Sequence, residues 1–206
     1  MNPEMEGERV KRERNQRGHG ERLRIEILET ASVLLNELGA ADGLSLRAVA
    51  KRLGIAAPSA YAHFSGKAEL IDALVGYERG RIGDHMDAAA ESAGAHPRER
   101  LRASVHALAM FLLRNPGAHR VLLQAQRTTD KVPRENNPTL ERITVLLRSC
   151  VDAGLPVRLP VTRAAVLLAV GAPSAAQMAL PRHSSAEAEA AVCEFVDDLV
   201  FLVLGR

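Results

Sequence analysis

The chain has 206 residues, 47% hydrophobic and 25% charged, enough for one small domain and one medium one with a sizeable core in the larger. A formal net charge of +2 rules out bulk charge as a sign of a polyanionic partner, and no apolar run reaches the roughly eighteen residues of a membrane span. The charged start has no signal-like apolar run, and Cys150 and Cys193 lie far apart without metal-ligand spacing, so the expectation is a reduced, cytoplasmic protein with buried free thiols.

Residues 1 to about 20 have no periodic apolar face and contain Gly18 and Gly20. Between Arg9 and Arg24 lie seven basic residues (Arg9, Lys11, Arg12, Arg14, Arg17, Arg22, Arg24) against Glu13 and Glu21. A basic arm over 1–20, unstructured without DNA, is expected; it reads either as an electrostatic footprint on phosphate or as a solvated tail. From Arg22, the residues Leu23, Ile27, Leu28, Ala31, Leu34, Leu35 and Leu38 mark one face of a helix ending at Gly39, followed by a short loop to Gly43. Leu46, Val49, Ala50 and Leu53 then fall at i, i+3, i+4 and i+7, with Ser45 placed to cap them. Gly54 follows the last apolar position, where the chain must turn left-handed. Pro58 fits only a first helical turn, so a second short helix is expected over Ala57–Phe64, with Ile55 and Phe64 in the core. Helix, glycine turn, helix is the geometry that lays a second helix in a DNA major groove, and 21–66 is read as a three-helix DNA-binding domain.

Gly43 to Leu74, GLSLRAVAKRLGIAAPSAYAHFSGKAELIDAL, resembles the DNA-binding end of the tetracycline-repressor (TetR) family of bacterial transcription regulators. The likeness rests on the glycine turn, Pro58, the Tyr61-x-His63-Phe64 end of the recognition helix and Lys67 opening the next helix; the remainder resembles the family only in helical layout. The resemblance implies DNA contacts at Arg47, Ala57, Pro58, Ser59, Tyr61, His63 and Lys67. Each has a means: a guanidinium on Arg47, hydroxyls on Ser59 and Tyr61 for phosphate, apolar surfaces on Ala57 and Pro58 for thymine methyls. Tyr61 reads alternatively as packing at the domain edge, and His63 either as a phosphate contact or as a cation stabilising its helix end. Lys67 also stands on physical grounds, since a cation in a first turn costs roughly 0.3–1 kcal/mol unless a phosphate lies nearby; a solvated surface lysine is the other reading. Ala57 and Ala62 are small where family members often carry larger or polar groups, so base specificity is expected to be modest or to rest on Arg47 and DNA shape. Ala56 replaces the usual polar cap, at a cost of about 1 kcal/mol.

Lys67 to about Ala90 reads as one long helix linking the DNA-binding domain to a regulatory and dimerisation domain over 67–206. Pro97 starts the next helix, which carries Leu101, Val105, Leu108, Ala109, Phe111 and Leu112 to a stop at Asn115-Pro116-Gly117. A short helix over Ala118–Gln126, a polar loop over Arg127–Pro138 and a helix over Thr139–Ala153 follow. Val161–Leu180 and Ala186–Leu204 carry more apolar surface than one small domain can hide. They suggest a homodimer through 161–204, a four-helix bundle made by two copies of this hairpin, with intramolecular core alone as the other reading. The fold class is therefore all-α.

A regulator needs a site whose occupation changes DNA affinity. His106, Met110, Phe111, Gln124, Gln177 and Met178 are the candidate lining of a mostly apolar pocket for a small-molecule effector, each also readable as core. No cofactor and no metal is expected. Asp84, His85 and Asp87 at i, i+1 and i+3 do not share one helix face, and Gly66-Lys67 lacks the rest of a phosphate loop. No G-x-S-x-G occurs and no nucleophile is arranged with a base, so an enzyme is not expected. The sequence reads as a homodimeric repressor released from a palindromic operator by a ligand; a helical small-molecule enzyme with an incidental helix-turn-helix, or a constitutive architectural dimer, are the alternatives.

Overall fold

The computed structural model describes residues 17–38, 43–128, 137–179 and 185–205, and all regular elements of three or more residues among them are helices. They are α1 (Arg17–Leu38), α2 (Leu46–Leu53), α3 (Ala57–Tyr61), α4 (Lys67–Ser92), α5 (Pro97–Arg114), α6 (Pro116–Thr128), α7 (Pro138–Asp152), α8 (Val161–Ala179) and α9 (Ser185–Leu204). No helix among the described residues is long and apolar enough to cross a membrane. The basic arm up to residue 16 lies outside the described residues, as do residues 129–136 of the loop expected over 127–138, whose ends belong to α6 and α7.

The starts of α1 and α6 differ from expectation for physical reasons. α1 begins at Arg17 rather than Arg22, so residues 17–20 do not belong to an unstructured arm. Gly20 sits where a Cβ would be 3.9 Å from the His63 ring, so docking offsets the weak helix propensity of this turn. The stop read at Asn115-Pro116-Gly117 is a one-residue joint: Asn115 breaks the helix and Pro116 opens α6 at the first position, where its missing N–H costs nothing.

α5 is the central helix of the larger body, packed against α4, α7, α8 and α9. Leu101, Val105 and Leu108 from α5, Met86 from α4, Ile143 and Leu147 from α7, Leu168 from α8 and Val196 from α9 are all buried there. Cys150 is buried and Cys193 half-buried, both free thiols. At the outer α5–α9 seam, Arg102 donates two hydrogen bonds to Asp197 at 2.6 and 2.9 Å, and His106 Nε2 lies 2.7 Å from the same carboxylate. Arg114 pairs with Glu189 one step further along.

The Arg102 hydrogen bonds hold the Asp197 carboxyl at about 2, against an ordinary value of 3.8. A depressed folded-state pKa gives stability that is present above the ordinary value and lost as pH falls through the folded one. Asp197→Asn should lower stability by about 0.5–1 kcal/mol near neutral pH, a modest figure because the pair is half-exposed. The deficit should shrink as pH drops from about 4 towards 2, which chemical denaturation across that range would reveal.

Two junctions tie the DNA-proximal helices to this body. Asn36, near the end of α1, accepts a hydrogen bond from the Gly117 amide at 2.9 Å and donates to the Asn115 side chain at 3.3 Å. Arg81 of α4 donates to Ser32 of α1 at 3.1 Å and to the fully buried Glu78 at 3.2 Å, while its guanidinium lies 5.0 Å from the Phe111 ring centroid on α5.

Candidate nucleic-acid interface and ligand cavity

The helix-turn-helix forms as its residues dictate. Ser45 Oγ accepts from the Ala48 amide at 3.1 Å, capping α2, and Gly54 ends it at a φ of 73°, the left-handed region that favours glycine. α3 is held from beneath by Ala60 and Phe64, both essentially inaccessible, and Ile55 packs against the same core. The helix is three residues shorter than expected. Both the His63 and Phe64 amides bond to the Ala60 carbonyl, so the chain tightens into a turn after Tyr61. Ala56 stands at the N-cap without a side-chain bond, as its methyl group requires.

The residues expected at DNA take these places. Arg47 is exposed on α2; Pro58, Tyr61 and Lys67 are exposed; Ala57, Ser59 and His63 are half-buried. Six of the seven thus fall within the short stretch 57–67, on a segment whose buried anchors are Ala60 and Phe64. Lys67 is the first residue of α4, whose start is organised by Glu69: its carboxylate accepts from the Ser65 amide and hydroxyl, both at 2.7 Å. The Ser65 amide holds that carboxyl below the usual carboxylate range.

One residue acts differently from its sequence reading. Arg24 does not simply extend the basic arm: it donates to the His63 carbonyl at 2.9 Å and stacks 4.3 Å from the Phe64 ring centroid. A cation from α1 therefore already satisfies a carbonyl at the end of this segment. Arg24→Met should weaken DNA binding about three- to tenfold by loosening this end, with the salt dependence unchanged. Lys67→Gln, by contrast, should lower the slope of log affinity against log salt by roughly one. Fluorescence titrations at several salt concentrations separate the two.

Behind α6 lies a cavity of about 410 Å³, walled by α4, α5, α6, α7 and α8. Its apolar lining includes Leu108, Leu112, Leu122, Leu140 and Ala169, with Arg79 and Gln177 at exposed positions on its edge. The six residues expected to form one pocket do not converge on it. Gln177 borders this cavity, whereas Met110 and Phe111 border a separate depression with His85, whose ring packs 5.1 Å from that of Phe111. His106 is committed to Asp197 at the α5–α9 seam, Met178 is 70% exposed, and Gln124 is exposed; these three border neither space.

Sequence reading missed His119. It is 4% exposed, borders the 410 Å³ cavity, and its Nε2 has no hydrogen-bond partner; burial pushes its pKa below the ordinary imidazole value, so the ring is neutral near neutral pH. The signal was present: His119, Leu122 and Leu123 fall at i, i+3 and i+4 on α6, one polar group in an otherwise apolar stripe.

Residues 27–74 match the model of the family described as bacterial regulatory proteins, tetR family. The chain is 27% identical over 135 residues to the nucleoid occlusion factor SlmA of Vibrio campbellii, covering 61% of this chain and 64% of that one. It is 48% identical over 48 residues to the tetracycline repressor protein class A from transposon 1721 of Escherichia coli, covering 23% and 22%. The match thus spans less than two thirds of each of these relatives. Among solved structures, a TetR-family transcriptional regulator from Pectobacterium atrosepticum superimposes with a TM-score of 0.71 at 19% identity, covering 93% of this chain and 99% of that one.

Proposed function

We propose that this chain, which belongs to the tetR family of bacterial regulatory proteins, is a homodimeric repressor that leaves a two-fold symmetric DNA operator when a small molecule enters the cavity behind α6. The observation that carries the reading is the connection between the two sites. The cavity wall includes α6, and the first turn of α6 is bonded to α1 through Gly117 and Asn36. α1 in turn holds the end of the recognition segment through Arg24. α4, 26 residues or about 39 Å long, provides a second route, with Lys67 at the DNA end and Arg79 and Ile82 at the cavity.

In this mechanism a ligand acts through its differential affinity for two arrangements of α6 and α4 against α1. The arrangement with an empty cavity sets two recognition segments about one DNA turn, or a multiple of it, apart; filling the cavity favours the other. Dimerisation uses the outer faces of α8 and α9, where Met178 is 70%, Phe195 44% and Leu202 56% exposed. Exposed apolar residues grouped on two adjacent helices favour a symmetric four-helix contact over a solvated surface.

Selection of genomic fragments with the purified protein, followed by footprinting, tests the reading. Protection of a two-fold symmetric site is expected, with affinity at least about a thousandfold above bulk DNA. Equal retention of all fragments would overturn it.

A further inference from the structure

Two of the cavity's polar side chains are committed to their own helices. Asn137 Oδ1 caps α7 by accepting from the Thr139 and Leu140 amides, and the Ser174 hydroxyl donates to the Val170 carbonyl at 2.7 Å. Arg79, Thr139 and Gln177 also border the cavity without such a side-chain bond, the first and last at exposed positions, and two further groups on the wall are unspent. His119 is buried, neutral and unpartnered at Nε2. The Ala169 carbonyl has no i+4 amide to accept, because residue 173 is a proline inside α8, and both residues border the cavity. Pro173 costs the helix a hydrogen bond at the wall of an apolar space, where an unanswered carbonyl is unfavourable unless something fills it.

From this we infer that the cavity takes an uncharged, mainly aliphatic molecule bearing a hydroxyl group, which hydrogen-bonds to the His119 ring and the Ala169 carbonyl; the inference rests on the ligand-responsive reading above. A hydroxyl both donates and accepts, so it can meet a carbonyl and either tautomer of a neutral imidazole. A carboxylate can only accept, which leaves the Ala169 carbonyl unanswered, and it finds no buried cation among the described lining residues, since Arg79 is exposed. The space of about 410 Å³ holds roughly fifteen non-hydrogen atoms at interior packing density.

Calorimetric titration of the full-length protein with dodecanol, dodecanoate and methyl undecyl ether tests this, since the three match in length and differ in head group. Dodecanol should bind about five- to tenfold more tightly than either of the others. The preference should vanish in His119→Leu, persist in part in His119→Gln, and fall in Pro173→Ala. Pro173→Ala restores an amide to α8, so it should melt higher and stay informative even if a His119 variant fails to fold. Tightest binding of dodecanoate, equal binding of all three, binding of none, or a preference unchanged by Pro173→Ala and whichever His119 variants fold would each overturn the inference. Operator affinity measured in the same samples is a separate readout: selective binding of dodecanol without DNA release would leave the ligand class standing and sink the ligand-responsive mechanism.

Discussion

Gly117→Ala should be among the most damaging single substitutions in the molecule despite adding one methyl group. A Cβ at this position would lie 2.5 Å from the Leu35 carbonyl oxygen and 2.8 Å from the Asn36 amide nitrogen. Both are backbone atoms within α1 and cannot swing aside. The contrast with Gly83 and Gly171 is instructive, because a Cβ there would meet the ends of Arg142 and Leu199, which can change rotamer. At Gly117 the first turn of α6 must withdraw from α1, losing the amide bond to Asn36 as well as the packing. The expected cost is about 2–4 kcal/mol of stability, the sum of overpacking and one buried hydrogen bond. Calorimetric melting measures it directly. If the folded fraction is rescued by low temperature, DNA affinity should respond to cavity ligands less than in the parent, since the α6–α1 link is the altered element. A melting temperature within a degree or so of the parent would show that α6 does not dock on α1 this closely.

The second large effect concerns the outer faces of α8 and α9. Phe195→Glu with Leu202→Glu places two carboxylates on an apolar surface that is 44% and 56% exposed in the single chain. The chain itself should still fold, because neither side chain is needed in its own core, and should melt lower only by what association contributed. A symmetric dimer would bring four such charges into one interface, and desolvation with like-charge repulsion should dissociate it. Losing the covalent-like coupling of two half-sites lowers DNA affinity by the effective concentration that linkage supplies, about 10²–10⁴-fold. Sedimentation velocity and DNA titration on the same preparation read both consequences. A doubly substituted chain that still sediments as a dimer would place the interface elsewhere.

How far the sequence reveals these features depends on whether the controlling interaction is local. Ser45, Gly54 and Pro58 act on their own neighbours in the chain, so the cap, the left-handed turn and the helix start were legible. The end of α3 was not, because Tyr61 to Phe64 continue a helical pattern and only the convergence of two amides on the Ala60 carbonyl stops it. Gly117 illustrates the same limit. In sequence, Asn-Pro-Gly reads as punctuation, whereas in the fold the glycine lies inside a helix and permits a backbone 81 residues earlier to approach. The ligand residues were the least legible for a related reason. α5 packs on five helices, so its periodic face cannot tell a cavity from a seam, and His106 serves α9 while His119 borders the cavity.

On this mechanism, two copies of the chain read one DNA site together. This is tested most directly by titrating the purified protein onto a fragment recovered by genomic selection, at rising salt, while light scattering gives the mass of the complex. An even number of protomers is expected on a two-fold symmetric fragment, with affinity falling steeply as salt increases because several phosphates are contacted. A complex holding a single protomer, or retention that ignores sequence, would contradict it.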